Sequence, residues 1–220
     1  MPVAAIFDID GTLVTFKFDV QGTRKVLLQE LSVRGFDTRG LGLTSPTQQI
    51  LDSARAQVSS GAVVADFEAL RKKVYSILDR FELESVPSTS VFPGTREALE
   101  YLMSKKVRLA VVTNSGKKAA SDALRRAGLL ACFEFVLTRD DTDAMKPRPE
   151  GLMKAVSKLG LPSDAVYYVG DSPYDIEAAK AAGLKVVSVA TGNYSVERLR
   201  NEGADYVIPS ISELPRLLSV

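Results

Sequence analysis

The most informative absence in this sequence of 220 residues is histidine, of which there is none. This absence excludes Ser-His-Asp and Cys-His catalysis, histidine-based zinc sites and any imidazole general base. The single cysteine, Cys132, excludes an internal disulfide and a cysteine metal cluster, and we expect it to be a small core residue. Any chemistry must therefore use carboxylates, lysine, tyrosine, hydroxyl groups or a hard metal ion.

The sequence also has little net charge and no long apolar run. Its 28 Lys+Arg and 27 Asp+Glu give a net charge of +1, which argues against a nucleic-acid binder. No stretch reaches the apolar length that spans a membrane, and the N-terminus, MPVAAIFDID, lacks the basic region of a secretory signal. We expect a cytoplasmic protein, a monomer or a homodimer, that binds neither nucleic acid nor membranes.

Short apolar runs alternate with stretches of helical periodicity along most of the chain. The predicted strands are residues 3–9, 107–113, 133–137, 165–169, 185–190 and 206–208. The predicted helices among them are residues 96–103, 117–127, 147–159 and 173–182. This alternation is typical of a parallel sheet covered by helices on both faces. The predicted fold class is therefore α/β, with a doubly wound, Rossmann-like parallel sheet as its core.

One region, residues 15–86, has no apolar strand run. Its periodicity predicts helices over residues 23–34, 46–59 and 63–81, with Ser45 as the N-cap of the second. We interpret this region as a small α-helical cap domain inserted after the first strand. The predicted domains are a core of residues 1–14 and 87–220 and a cap of residues 15–86.

Polar side chains follow four of the predicted strands. They are Asp8 and Asp10, then Thr113 and Asn114, then Lys146 beyond a polar loop, and finally Asp171 and Asp175. Because ligands bind at the carboxyl ends of the strands in such sheets, we expect these groups to converge at one edge. Asp8 and Asp10 are two residues apart, so an extended backbone would direct both carboxylates to the same side.

These residue types favour phosphoryl transfer. Several carboxylates without histidine suit a hard cation, and few protein ligands near a phosphate favour Mg²⁺ over Ca²⁺. The hydroxyl of Thr113, the helix start that follows Asn114 and the charge of Lys146 would attract an anion. One carboxylate can attack phosphorus to give an aspartyl-phosphate, and a second can protonate the leaving oxygen and then activate water.

Four motifs together resemble the haloacid dehalogenase-like hydrolase superfamily: DIDGT at 8–12, TNS at 113–115, KPRPE at 146–150 and GDSPYD at 170–175. The helical insertion is similar to the type-one cap of phosphoglycolate phosphatase-like members. The resemblance implies that Asp8 is the nucleophile and Asp10 the general acid/base, and that residues 11–18 form a hinge and flap. It implies the remaining site residues as follows: Thr113, Asn114 and Lys146 for the phosphoryl group; Asp8, the Asp10 carbonyl and Asp171 for Mg²⁺; and Asp175 in support of the metal.

The resemblance implies a magnesium-dependent phosphatase that hydrolyses a small phosphorylated metabolite. Dehalogenase members generally lack the second aspartate of the first motif, so Asp10 argues against dehalogenation. Two alternatives stay open: a phosphomutase of the β-phosphoglucomutase type, and a catalytically silent regulatory binding protein. From charge alone, Lys17, Arg39 or Arg55 could meet an acidic substrate.

Overall fold

The computed structural model describes residues 4–15 and 17–218 as alternating strands and helices. In chain order the strands are β1 (Ala4–Phe7), β2 (Val14–Thr15), β3 (Ser90–Val91), β4 (Arg108–Val112), β5 (Val136–Leu137), β6 (Val166–Gly170), β7 (Lys185–Val189) and β8 (Tyr206–Ile208). The helices are α1 (Val20–Val33), α2 (Thr47–Ser59), α3 (Phe67–Ser85), α4 (Thr95–Ser104), α5 (Lys117–Ala127), α6 (Glu150–Leu159), α7 (Pro173–Ala181), α8 (Val196–Asn201) and α9 (Leu214–Leu217). No helix in this described part of the chain combines the length and apolar character needed to cross a bilayer.

Six of the strands form one parallel sheet in the order β5-β4-β1-β6-β7-β8. The chain builds outward from β1 through β4 to β5, and then crosses back to β6 on the other side of β1. The direction of winding therefore reverses at β1, and a crevice for a ligand forms at such a reversal. The predicted α/β, doubly wound parallel sheet is confirmed.

Strand β1 shows why the core strands read as continuous apolar runs. Ala5 and Phe7 belong to the hydrophobic cluster on one face of the sheet, whereas Ala4 and Ile6 belong to the cluster on the other. All four residues are fully buried. Since successive side chains of a strand point to opposite faces, a sheet covered on both sides needs an apolar residue at every position.

Helices α1, α2 and α3 form the helical insertion and have a hydrophobic cluster of their own. Asp19 caps α1 by accepting a hydrogen bond from the backbone N–H of Gly22, at 2.8 Å. The insertion leaves and rejoins the core through the antiparallel pair β2–β3, in which Val14 lies opposite Val91. Sequence periodicity did not predict these two-residue strands. The domain limits 1–14, 15–86 and 87–220 stay a prediction.

Several predicted bounds differ from the structure at their ends. The first strand ends at Phe7 and not at residue 9, because the chain begins to turn after Asp8. Val3, predicted to be in that strand, and Phe16, in the predicted hinge, lie outside the described residues. Helix α6 begins at Glu150 and not at residue 147, since a residue before proline avoids the helical region and Pro149 follows Arg148.

Two further predictions about single residues need correction. Ser45 does not cap α2, because Pro46 occupies the N-cap position and the Ser45 hydroxyl instead accepts a hydrogen bond from the Gly42 N–H, at 3.0 Å. Cys132 is half-buried at the edge of the core, in a single 3₁₀ turn before β5, and not inside it.

Candidate active site

The loop after β1 carries Asp8 and Asp10. The Asp8 N–H donates to the Val169 carbonyl at 2.9 Å, which continues the sheet pairing for one more residue. Beyond it the Ile9 carbonyl accepts from the Leu13 N–H at 2.9 Å, and Gly11 takes a φ of 77°. This tight turn leaves both Asp8 and Asp10 on the wall of one cavity.

Lys146 lies at the centre of a buried network of oxygen atoms. Its Nζ is 2.9 Å from Oδ1 of Asp8 and 2.6 Å from Oδ1 of Asp175, and it donates to the Tyr168 hydroxyl at 2.7 Å. Burial alone would lower the pKa of Lys146, but the carboxylates of Asp175 and Asp8 outweigh it and raise that pKa. Lys146 therefore stays a fixed positive charge beside Asp8.

Asp175 orients the lysine. Its Oδ1 accepts from Lys146 and from the Tyr168 hydroxyl, and its Oδ2 accepts from the N–H and the hydroxyl of Ser172 in a capping box at the start of α7. Burial alone would raise the pKa of Asp175, but Lys146 and these hydrogen bonds lower it. Asp175 is thus an ionised carboxylate whose oxygens are already engaged, and the metal-supporting role that the resemblance implies for it stays a prediction.

Asp171 is the carboxylate whose protonation is most perturbed. Burial and the neighbouring charges of Asp175, Asp8 and Asp10 raise the pKa of Asp171 to about 9. The Thr12 hydroxyl donates a hydrogen bond to Oδ1 of Asp171 at 3.3 Å, which is too long to stabilise the buried charge strongly. Such a crowd of anions is stabilised by a proton or by a cation.

The geometry of these acids fits Mg²⁺. Asp8, Asp171 and Asp175 each offer a carboxylate oxygen within 4.8 Å of the others. The backbone comes close to Asp171, since a Cβ at Gly192 would lie 1.8 Å, and one at Gly11 2.3 Å, from its Oδ2. Both carboxylate oxygens of Asp175 already accept hydrogen bonds, so Asp8 and Asp171 are the side chains better suited to bind the metal directly.

The loop after β4 provides Thr113 and Asn114. Thr113 is buried on the cavity wall, and its hydroxyl accepts a hydrogen bond from the Ser115 N–H at 3.2 Å. The Asn114 side chain accepts from the Lys146 N–H at 2.8 Å and donates to the Lys146 carbonyl at 3.0 Å. Asn114 therefore fixes the backbone of the lysine, a role that the sequence did not predict.

The backbone N–H groups at the start of α5 donate hydrogen bonds to carboxylates of the chain itself. The Gly116 N–H donates to Oε2 of Glu82 at 2.9 Å, and the Lys117 N–H donates to Oδ2 of Asp140 at 2.8 Å. Glu82 comes from α3 of the helical insertion. A carboxylate of the insertion thus sits where the sequence alone suggested that the substrate would bind.

Glu82 is part of an ion network that sequence reasoning missed. Arg139, which is only 1% exposed, places Nη1 2.5 Å from Oε1 of Glu82 and Nη2 2.5 Å from Oδ1 of Asp79, both on α3. Its Nη1 also donates to the Asn114 carbonyl at 3.0 Å. Arg139 follows β5 by two residues, so the strand-end rule that found the other groups could have found it. The network connects the insertion to the residue that holds Lys146.

A cavity of about 610 Å³ lies between the insertion and the strand ends. The core contributes all the predicted residues except Asp175, and the insertion contributes Arg24, Pro46, Leu78 and Glu82 among others. Lys17, Arg39 and Arg55 are all within the described part of the chain, but none of them lines the cavity. Arg39 is paired with Asp37 in solvent, and the guanidinium of Arg55 lies over the ring of Phe67. The interpretation from charge alone was wrong, and Arg24 was missed.

Comparison with known proteins agrees with this geometry. The family model described as haloacid dehalogenase-like hydrolase matches residues 5–189. A phosphoglycolate phosphatase of Pseudomonas syringae pv. tomato is 30% identical, over 97% of this chain and 79% of that protein. One from Rhodospirillum rubrum is 32% identical, over 97% and 90%. A solved hydrolase of Pseudomonas syringae shares the fold, with a TM-score of 0.68 and 23% identity over 99% of this chain and 98% of that one.

The matched range runs from β1 to β7 and includes all four motifs and the helical insertion between the first two. The similarity to the two phosphatases extends over nearly the whole chain. The chain therefore belongs to the haloacid dehalogenase-like hydrolase family, and it is a phosphatase.

Proposed function

We propose that the chain is a magnesium-dependent phosphatase that hydrolyses a small phosphorylated metabolite, of the phosphoglycolate type, through an aspartyl-phosphate on Asp8. The single observation that carries this proposal is the position of Asp8. It lines the cavity between the insertion and the strand ends, 2.9 Å from a buried lysine, and it offers a carboxylate oxygen within 4.8 Å of one from Asp171. The names of the two phosphatase relatives support the substrate class.

In the first half of the reaction, an oxygen of Asp8 forms a bond to phosphorus while the bond from phosphorus to the leaving oxygen breaks. Asp10 gives its proton to that leaving oxygen. Lys146 and the hydroxyl of Thr113 hold the phosphoryl oxygens and offset their developing charge. Mg²⁺, when bound by Asp8, Asp171 and the Asp10 carbonyl, supplies positive charge that lets the anionic nucleophile and the anionic phosphate approach each other.

In the second half, Asp10 acts as a base. It takes a proton from a water molecule whose oxygen attacks the phosphorus of the aspartyl-phosphate, and the bond between phosphorus and Asp8 breaks. Inorganic phosphate leaves, and both carboxylates return to their starting states. The helical insertion limits access of bulk water, which strengthens the electrostatic interactions in the cavity.

The experiment is a panel of phosphate esters assayed for released phosphate with Mg²⁺ and after complete chelation. We expect activity that needs the metal, and we expect Asp8→Asn to abolish it. Asp164→Asn, which removes an exposed carboxylate in the turn before β6, is the matched control and should keep normal activity. Near-normal activity of Asp8→Asn, or full activity without metal, would contradict the proposal.

The same assay addresses the alternative of a phosphomutase. A mutase returns the phosphoryl group to a sugar, so its release of free phosphate would be small and would depend on a bisphosphorylated sugar. The monomeric or dimeric state and the cytoplasmic location stay predictions of the sequence.

A further inference from the structure

Arg24 is an unusual residue of the cavity. It lies on α1 of the helical insertion, lines the cavity and is half-buried. Its Nε donates to the Ser45 carbonyl at 2.8 Å, in the loop between α1 and α2. Within residues 4–15 and 17–218, its buried Nη1 has no hydrogen-bond partner. The side chain is therefore held in place at one nitrogen and has an unused donor at another.

An unpartnered guanidinium nitrogen is costly. Buried polar groups are hydrogen-bonded in nearly all cases, and a charged donor without an acceptor carries the full penalty of lost hydration. Burial lowers the pKa of Arg24, an effect that the nearby Tyr174 opposes. Because an arginine stays protonated in proteins, the penalty is not relieved by loss of the proton. A bound anion would relieve it.

The charge balance of the cavity points the same way. Only two cationic side chains, Arg24 and Lys146, are among the described residues that line it. Lys146 is already compensated by Asp8 and Asp175. Arg24 is therefore the cationic group on the cavity wall that is available to a second anionic group of a ligand.

We propose that Arg24 forms an anion subsite that selects phosphate esters whose leaving group carries a second negative charge. This inference rests on the proposed function for the position of the phosphate, which would lie at the strand ends, while the second anion would lie against Arg24 in the insertion. The ligand class is small phosphorylated acids. A carboxylate or a second phosphate could supply the charge, since both accept hydrogen bonds from a guanidinium.

The kinetic test compares three esters of similar size: 2-phosphoglycolate, 2-hydroxyethyl phosphate, which has no second charge, and ethylene glycol bisphosphate. The readout is the ratio of kcat/KM for each ester with a second charge to kcat/KM for 2-hydroxyethyl phosphate. We expect Arg24→Gln to lower at least one of these ratios about 10- to 100-fold, as loss of a charged hydrogen bond would. The ratio that falls identifies the second anion as carboxylate or phosphate.

Two further variants separate recognition from structural support. Arg24→Lys keeps the charge, and we expect it to recover part of the ratio. Lys25→Gln removes an exposed charge from the same helix, outside the cavity lining, and should leave both ratios as in the wild type. A loss in Arg24→Gln that is equal for esters with and without a second charge would mean that Arg24 only ties α1 to the Ser45 loop, and the proposal would be overturned.

A binding measurement keeps this inference separate from the proposed function. Calorimetric titration of Asp8→Asn with the same three esters, with Mg²⁺ present, measures selectivity without turnover. The subsite is supported if Asp8→Asn binds an ester with a second charge more tightly than 2-hydroxyethyl phosphate, and if this difference disappears in the double variant Asp8→Asn/Arg24→Gln. That result would support the subsite even if the wild type hydrolysed none of the esters. In that case only the proposed function would fail. Hydrolysis without any charge preference would overturn the subsite and leave the proposed function intact.

Discussion

The buried ion network around Arg139 makes a strong prediction about stability. Replacing Arg139 by methionine keeps an unbranched side chain of similar length but removes its charge and its donors. Glu82, which is only 6% exposed, would then lose its partner at 2.5 Å and would stay buried as an unpaired carboxylate. Asp79 and the Asn114 carbonyl would lose their bonds as well.

The size of the effect follows from this burial. Removing one partner of a buried ion pair costs about 3–5 kcal/mol, because the remaining charge is left without compensation. Asp79 contributes less to that figure, since 46% of its side chain is exposed and solvent screens it. We therefore expect Arg139→Met to lower the free energy of unfolding by about 3 kcal/mol. Replacing Glu82 by glutamine in the same chain should recover part of the loss, because the unpaired charge is removed.

The assay is urea unfolding followed by circular dichroism, with the free energy extrapolated to water and the slope compared between variants. Arg39→Gln is the matched control, since Arg39 pairs with Asp37 in solvent, and it should unfold like the wild type. If Arg139→Met lowers the free energy of unfolding by less than about 1 kcal/mol, the prediction is refuted, because a loss that small is typical of an exposed ion pair.

Three further predictions follow from the contacts of the site. Tyr168→Phe removes an oxygen partner of Lys146, 2.7 Å away, and should lower kcat/KM about 10-fold, measured by released phosphate. Gly192→Ala would place a Cβ 1.8 Å from Asp171 and should weaken Mg²⁺ binding at least about 10-fold, measured by metal titration of activity. Burial raises the pKa of Glu82 above its ordinary 4.5, so the folded state holds that proton more tightly than the unfolded chain does. The free energy of unfolding of the wild type should therefore fall relative to Glu82→Gln as the pH rises above about 4.5, in urea titrations at several pH values.

Neighbouring positions provide controls for these variants. Tyr167→Phe changes the adjacent residue of β6, which is on the opposite face of the sheet, and should keep normal kcat/KM. Gly42→Ala adds a methyl group that meets no atom within 4 Å and should not change metal affinity. Equal effects in a variant and its control, or a stability difference that rises with pH, would contradict the corresponding prediction.

The core of the molecule was predictable because its physical signals are local. Strand β1 must be apolar at every position to satisfy both faces of the sheet, so a short continuous run in the sequence identifies it. The rule that functional groups follow the carboxyl ends of such strands then predicts, from the sequence alone, that Asp8, Lys146 and Asp171 lie near one another. The strands β2 and β3 have two residues each and carry no periodic signal.

The contacts between the insertion and the core could not be predicted in this way. Arg24 and Glu82 lie on amphipathic helices whose periodicity shows which residues are buried but not what they meet. Their partners, Ser45 and Arg139, are distant in the sequence and depend on how the helices dock. Charge alone suggested Arg39 and Arg55 as the residues that meet an acidic substrate, because the charge of a residue does not show whether it faces the cavity or the solvent.

The central claim, that Asp8 accepts the phosphoryl group, is tested most directly by trapping it. Asp10→Asn should slow hydrolysis of the intermediate, so acid quenching during turnover of an ester with a good leaving group should capture it. The account predicts that mass spectrometry finds one added phosphoryl group on the peptide that contains Asp8. Continued release of phosphate by Asp10→Asn with no phosphorylated protein at any time, or with the label on a different residue, would contradict it.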